Sequence, residues 1–193
     1  MACGLRLPGA SDPATFWGNI ISGKTEFRHC PADRWPLPPS ACLANGPTPK
    51  LDEVTTDIGC YLEPEPADHH TGLDPLFDIV LAAGQEAWEG AETSLLDPRK
   101  VRVILGNILL PTSGCAAYAH RFFADAAAGR SHASDIDAQN TQVGGLPAVK
   151  LAEALALEGG AYTLDAACAS SLYALKLGCD ALYKRSADAV LFG

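Results

Sequence analysis

The chain has 193 residues, a formal net charge of −9 and 48% hydrophobic residues, which fits one globular domain with a sizeable core better than two small domains. Its 14 basic residues form no run, so neither nucleic acid nor an anionic membrane is expected as the main partner. No apolar stretch approaches the length of about 20 residues that a bilayer span requires, and the first residues lack the charged leader of a secretory signal.

The first predicted helix runs from about Asp12 to Ser22. Ser11 or Asp12 can cap its start, Pro13 suits its first turn, and Gly23 suits its end. Helical spacing places its large apolar residues on one face, so this helix is expected to pack on another element. These residues are Phe16, Trp17, Ile20 and Ile21.

The next segment, from about residue 25 to residue 70, contains eight prolines and is predicted to be extended and rich in loops. A run of this size without regular structure is uncommon inside a compact domain. It is therefore expected to be functional or to pack on a larger body.

The middle of the chain alternates amphipathic stretches with one short apolar run of β-branched residues. The resulting predictions are a helix from Asp74-Pro75 to near Gly90, a buried strand over Val101–Gly106, a helix opening at Pro111-Thr112-Ser113, a loop around Ser131–Thr141, and a helix over Leu146–Leu157.

The last part reads as a strand over Ala161–Leu164, a helix from Ala169 to about Lys184, and a strand over Ala189–Phe192. This order predicts a βαβ unit with parallel strands and a right-handed crossover. The helix carries an apolar stripe at spacings of three and four residues, which is expected to be its buried face. The stripe consists of Leu172, Leu175, Cys179 and Leu182, widened by Ala174 and Leu177.

Cys168 lies at the junction between that strand and that helix. A helix N-terminus offers unpaired N–H groups and the positive end of the helix dipole, both of which favour the nucleophilic thiolate. Free N–H donors there can also hold an oxyanion during acyl transfer. The small side chains of Ala166, Ala167 and Ala169 leave room for a substrate. The alternative is that Cys168 is a buried core cysteine, since free cysteine is among the most buried residue types.

The other six cysteines are interpreted as structural or incidental, since no CxxC pair or metal-ligand pattern is present. The odd total of seven is typical of a protein of the reducing cytoplasm rather than of a disulfide framework. None of the five histidines has an evident claim to act as a base. His69-His70 is expected to be a surface pair, His120 to be half exposed on a helix, and His29 and His132 to lie in loops.

The segment Asp165-Ala166-Ala167-Cys168-Ala169-Ser170-Ser171-Leu172 resembles the active-site segment of β-ketoacyl synthases, D-x-A-C-S/A-S-S-L. The flanking Gly159–Leu164 and Ala187–Gly193 are similar to the strands on either side of that segment. The opening residues through Phe16-Trp17 and the run Pro31-Ala32-Asp33-Arg34-Trp35 resemble the start of modular polyketide-type synthases. The resemblance covers essentially the whole chain.

The resemblance implies a thiolase-like α/β fold of stacked α-β-α-β-α layers, of which residues 1–193 would be the N-terminal domain. It implies that Cys168 accepts an acyl group as a thioester, and that a malonyl unit then loses CO2 and attacks this acyl-enzyme. It further implies an acyl carrier protein as partner, delivery of substrates on its phosphopantetheine arm without another cofactor or a metal, and a homodimer.

Two finer expectations come from the same resemblance. Gly72–Phe77 and Leu105–Thr112 are similar to synthases of the polyunsaturated fatty acid, heterocyst glycolipid and enediyne type. The family's first strand would precede Met1, and its decarboxylating histidines and lysine would follow Gly193. The chain is therefore expected to be truncated at both ends and inactive in condensation by itself.

Two alternatives stay open at this point. One is a non-catalytic protein, either a truncated remnant or a dimerisation and docking module. The other is a different thiolase-fold acyltransferase that uses coenzyme A thioesters. Selective alkylation of Cys168 separates the first alternative from a preserved site, and dependence of acyl loading on a carrier protein separates the second.

Overall fold

The computed structural model describes residues 1–31, 34–35, 37–63, 71–108, 112–127 and 137–193, referred to below as the described residues. These form two compact units, one of Leu5–Glu63 and the other of Met1–Gly4 with Pro64–Gly193. Across the described part of the chain, no helix is both long and apolar enough to cross a membrane.

The unit Leu5–Glu63 contains the first predicted helix. Asp12 caps this helix by accepting hydrogen bonds from the Thr15 N–H at 2.9 Å and from its hydroxyl at 2.6 Å. The helix ends at Gly23, whose φ of 67° is a left-handed conformation that glycine adopts without strain. The elements of the unit, in chain order, are α1 (Pro13–Ser22), β1 (Phe27–His29), α2 (Pro39–Cys42) and β2 (Ile58–Cys60).

The apolar face of α1 is exposed, contrary to the expectation that it packs on another element. No residue of α1 is buried, and the side chains of Trp17 and Ile21 are 62% and 69% exposed. The periodicity correctly predicted a helix with one apolar face. It did not determine whether that face has a partner, since spacing along one helix carries no information about its neighbours.

The described residues of the proline-rich segment are mostly loop, as predicted, but they include two short strands and one short helix. Strands β1 and β2 pair antiparallel, with Phe27 opposite Cys60 and His29 opposite Ile58. Each strand has only three residues, too few for an alternating pattern to stand out. About 30 residues separate them along the chain, so the pairing has no local sequence signal.

The larger unit is built around a three-stranded parallel sheet. Its elements, in chain order, are α3 (Pro75–Glu89), β3 (Val101–Gly106), α4 (Ser113–Ala127), α5 (Leu146–Ala154), β4 (Ala161–Leu164), α6 (Ser170–Tyr183) and β5 (Ala189–Phe192). Strand β3 is central, and both β4 and β5 pair with it in parallel. The predicted β4–α6–β5 unit is therefore present, and its crossover passes over β3.

Alternate residues of β3 face opposite sides of the sheet, as the pleat requires. Val101 and Val103 are fully buried in a cluster with Ala148 and Leu151 of α5, and α3 packs on α5 behind them. On the other face Gly106 contacts the start of α6. The helices on both faces confirm the predicted α/β class and supply three of the expected layers, α-β-α.

Helix α5 ends at Ala154, three residues before the predicted end at Leu157. Ala156 adopts a left-handed φ of 52°, and the N–H groups of Ala156 and Leu157 bond back to the carbonyls of Glu153 and Ala152. This pattern of hydrogen bonds is the Schellman motif that terminates helices. The prediction missed it because glycine, the usual residue at this position, follows only at Gly159.

Helix α6 buries a face shifted from the predicted stripe, of which Ala174 is buried and the leucines at 172, 175 and 182 are not. Its buried residues are the small ones, Ser170, Ala174, Gly178 and Ala181. By contrast, Leu172 is 67% exposed, and Leu175 and Leu182 are also exposed. The physical reason is close approach: a Cβ added at Gly178 would lie 3.3 Å from a methyl group of Val190 on β5, which leaves no room for leucines between helix and sheet.

Candidate functional site

Cys168 lies in a 3₁₀ turn, Ala167–Ala169, that joins the carboxyl end of β4 to the first residue of α6. This residue is exposed. The alternative of a buried core cysteine is therefore wrong. All seven cysteines are free thiols, and Cys179, which sequence reasoning assigned to the apolar stripe of the same helix, is partly buried.

Two side chains brace the turn. The Asp165 carboxylate accepts a hydrogen bond from the Ala167 N–H at 2.8 Å. The Ser170 hydroxyl accepts one from the Ala166 N–H at 2.9 Å and donates one to the Ala167 carbonyl at 2.8 Å. The Ala169 N–H is bonded to the Ala166 carbonyl. The N–H groups of Ala166, Ala167 and Ala169 are thus already engaged within the turn.

The residue before the cysteine carries backbone strain. Ala167 has a φ of 51°, in the left-handed region that residues with a Cβ seldom adopt. Such a conformation costs on the order of 1–3 kcal/mol and persists only where surrounding contacts hold it. The hydrogen bonds with Asp165 and Ser170 stabilise Ala167 in this conformation. Sharp strand-to-helix turns of this kind present nucleophiles at the edge of α/β sheets.

The central strand β3 determines the position of the cysteine turn. A Cβ added at Gly106, the last residue of β3, would come within 2.6 Å of the backbone carbonyl carbon of Ser170. The start of α6 thus rests directly on the strand. Asn107, the next residue, donates its backbone N–H to the Leu164 carbonyl at 2.9 Å and its side-chain amide to the Val143 carbonyl at 2.8 Å. Together these contacts tie the carboxyl ends of β3 and β4 into one rigid edge beside Cys168.

The structure assigns no histidine to this site. Within the described residues no hydrogen bond joins the Cys168 thiol to a histidine ring. His29 lies in β1 rather than in a loop, and its Nδ1 is 2.9 Å from an Asp57 carboxylate oxygen. His120 is exposed on α4, whereas His69, His70 and His132 lie outside the described residues.

No group of three or more metal-binding side chains is found among the residues that the structure describes. An open groove lies between α5 and the start of β4 and is lined by Ala152, Leu157 and Ala161. It is at the opposite end of β4 from Cys168, so it does not belong to the cysteine site.

One ion pair lies on α6, two turns after the cysteine. Lys176 hydrogen-bonds Asp180 at the i, i+4 spacing that brings helical side chains together. This bond lowers the pKa of Asp180 and raises the pKa of Lys176, because it stabilises the charged form of each group.

Sequence reasoning predicted Cys168 and missed its supports, Gly106 and Ser170. Both are common residue types whose roles depend on a contact between elements about 60 residues apart. The local signal that could have found Ser170 was its place two residues after Cys168 in the segment that resembles the family's active site.

The family model for the β-ketoacyl synthase N-terminal domain matches residues 1–193. Among curated proteins, the chain is 27% identical to a phenolphthiocerol/phthiocerol polyketide synthase of Mycobacterium tuberculosis, covering 98% of the chain and 9% of that protein. It is 30% identical to the PKS-NRPS hybrid synthetase acdB of Aspergillus candidus, covering all of the chain and 8% of that protein. The chain therefore spans less than a tenth of the length of these relatives.

Two solved structures share the fold. A PfaC keto synthase–chain length factor is 26% identical with a TM-score of 0.78, and the match covers 97% of this chain and 23% of that one. The oxazolomycin ketosynthase domain OzmH KS7 of Streptomyces albus is 22% identical with a TM-score of 0.70, over 96% of this chain and 31% of that one. These ketosynthase neighbours confirm the predicted thiolase-like fold.

Proposed function

Because the chain belongs to the β-ketoacyl synthase family, we propose that it carries the acyl-accepting half of a condensing enzyme of polyketide synthesis, with Cys168 as the nucleophile. The observation that supports this most directly is the exposed Cys168 on a braced, strained turn at the head of α6. Exposure is required of a thiol that has to reach a thioester carbonyl, and a rigid turn reduces the entropy lost in orienting it.

The proposed step is a transthioesterification. The Cys168 sulfur attacks the carbonyl carbon of an acyl group held on the phosphopantetheine arm of an acyl carrier protein. The new carbon–sulfur bond forms, the bond between that carbon and the phosphopantetheine sulfur breaks, and the released thiol takes up the proton that Cys168 loses. In the complete reaction a malonyl unit then loses CO2, and its carbanion displaces Cys168 from the acyl group to give a β-ketoacyl product.

The test is acyl loading of the 193-residue chain. The purified protein is incubated with an acyl carrier protein bearing a saturated acyl group, and in parallel with the same acyl group on coenzyme A. Intact mass and peptide mapping then locate the adduct. We expect one acyl group on Cys168, formed from the carrier protein, and no adduct in Cys168→Ala.

Cys179→Ala is the matched control, since Cys179 lies on α6, the helix that follows the Cys168 turn, and its loss is expected to leave loading unchanged. Loading from coenzyme A with no dependence on the carrier would favour the other thiolase-fold acyltransferases. An adduct distributed over several cysteines, or no adduct, would contradict a preserved acyl-accepting site.

A second candidate is a non-catalytic docking module that also forms dimers. The exposed apolar faces of α1 and α6 favour it, because large exposed apolar patches mark interaction surfaces. The loading experiment separates the two functions, since a docking module needs no reactive cysteine. The subfamily and the homodimer expected from sequence stay predictions.

A further inference from the structure

Ser170 is a buried polar residue at the start of α6. It is 6% exposed and begins the small-residue face that packs on the sheet. A buried hydroxyl is unfavourable unless its hydrogen bonds are made within the protein. The proposed acyl transfer uses Cys168 and gives this hydroxyl no part in the chemistry.

The Ser170 hydroxyl forms hydrogen bonds with residues that precede Cys168 in the chain. Its oxygen accepts the Ala166 N–H and its proton goes to the Ala167 carbonyl, so both partners lie on the chain just before Cys168. One side chain thereby closes a loop that contains the cysteine.

The position of the Ser170 backbone is fixed by its contact with strand β3. The contact with Gly106 leaves no space for a Cβ on the strand, so the backbone of Ser170 cannot move closer to the sheet. The hydrogen bonds of its hydroxyl therefore hold the cysteine turn at a fixed position relative to β3.

The strained conformation of Ala167 is stabilised by the Ser170 hydroxyl. Ala167, with its φ of 51°, is held by its N–H to Asp165 and by its carbonyl to Ser170. Removing the hydroxyl would leave the Ala166 N–H without this partner, and the Ala167 carbonyl would keep only its bond from the Ser170 backbone N–H. Ala167 could then relax to negative φ, which would change the direction in which the next residue, Cys168, projects.

We propose that Ser170 is a positioning residue, whose hydroxyl holds Ala167 in the left-handed conformation and so sets the direction of the Cys168 side chain at the head of α6. This inference rests on the proposed function for its biological meaning, since direction matters only if Cys168 reacts. The geometric claim is tested separately from acyl transfer.

The experiment measures the rate at which iodoacetamide alkylates Cys168, by peptide mass spectrometry, with the exposed Cys3 and Cys60 of the same molecule as internal references. Ser170→Ala is expected to lower the relative rate at Cys168, because a redirected side chain changes the access of the reagent to the sulfur. Ser171→Ala, an exposed neighbour, is the matched control and is expected to leave the rate unchanged.

The diagnostic variant is Ala167→Gly, because glycine adopts positive φ without strain. In the double variant Ala167→Gly/Ser170→Ala, the turn no longer needs the hydroxyl to offset strain, so most of the lost rate is expected to return. Urea denaturation of the same variants tests a role in overall stability, which predicts that the alkylation rate follows the free energy of unfolding. Amide hydrogen exchange over residues 165–169 is expected to quicken in Ser170→Ala and not in Ser171→Ala.

Equal alkylation rates in Ser170→Ala and the parent chain would overturn the proposal, and so would a loss that Ala167→Gly fails to restore. Acyl loading gives the separate outcome. If the parent chain is alkylated selectively at Cys168 but is never acylated, the proposed function fails while the positioning role stands. If the parent chain is acylated and Ser170→Ala is acylated as fast, the positioning role fails while the proposed function stands.

Discussion

At the scale of single residues, the cysteine turn depends on the fact that Gly106 has no side chain. Gly106 ends the central strand at the point where the backbone of Ser170 approaches, and a Cβ there would lie 2.6 Å from a backbone atom. A backbone neighbour cannot rotate away as a side chain can. The start of α6, and with it the cysteine turn, would have to move.

Gly106→Ala is therefore expected to lower the free energy of unfolding by about 1–3 kcal/mol, the usual range for overpacking, and to slow acyl loading at Cys168. Urea denaturation and the loading assay measure the two effects. Gly18→Ala is the control, since no atom lies within 4 Å of the position where its Cβ would be. A Gly106→Ala chain of unchanged stability would show that the contact is looser than the structure indicates.

The Lys176–Asp180 pair gives a pH prediction at the same scale. The pKa of Asp180 is lowered from 3.8, so its contribution to stability is present above that pH and is lost as the pH falls through the lowered pKa. The pKa of Lys176 is raised from 10.5, so its contribution is present below that pH and is lost as the pH rises through the raised pKa. Lys176 is exposed and Asp180 is only partly buried, so the effect is expected to be small.

Asp180→Asn removes this pair. The difference in free energy of unfolding between the parent chain and Asp180→Asn is expected to be greatest near neutral pH and to shrink toward both extremes. Urea denaturation at a series of pH values measures it. A difference that grows as the pH falls toward the pKa of Asp180 would contradict the sign of the linkage.

At the scale of elements, α6 shows why an apolar stripe and a buried face can differ. The stripe of leucines lies outward, and alanine, glycine and serine face the sheet. Small residues allow the helix backbone to come close to β3 and β5, which is also what brings Ser170 onto Gly106. The close contact that defines the site therefore excludes the large residues from this face.

Two substitutions on α6 distinguish these faces. Ala174→Leu places three extra carbons at a fully buried position and is expected to cost about 1–3 kcal/mol of stability. Leu172→Ala, at a position that is 67% exposed, is expected to change stability by less than about 0.5 kcal/mol. Thermal or urea unfolding measures both. The reverse ranking would mean that the leucine stripe is the buried face after all.

At the scale of the whole molecule, the exposed apolar area is the main feature. Large apolar side chains are exposed in both compact units, among them Trp17, Ile21, Phe123, Leu172 and Tyr183. Groups of this kind on one helix face mark interaction surfaces or a tendency to associate. Hydrophobic composition therefore overstates how much of this chain forms a core.

We expect the isolated 193-residue chain to bind a hydrophobic dye under native conditions, to associate as its concentration rises, and to have marginal stability. Dye fluorescence, sedimentation velocity and calorimetry measure the three properties. The control for dye binding is the same chain with Trp17 and Ile21 replaced by serine. A monomer that binds no dye and melts cooperatively at high temperature would contradict this expectation.

The amino-acid sequence by itself determined the helix with the Asp12 cap, the buried strand Val101–Gly106, the order strand–helix–strand, and Cys168 as the residue to test. Caps, β-branched runs and the D-x-A-C segment are local signals, written in consecutive residues. The tertiary structure alone decided which face of α6 is buried, that β3 lies between β4 and β5, that β1 pairs with β2, and that Gly106 and Ser170 hold the cysteine turn. Each of these depends on contacts between segments far apart in the chain, which become defined only when those segments pack together.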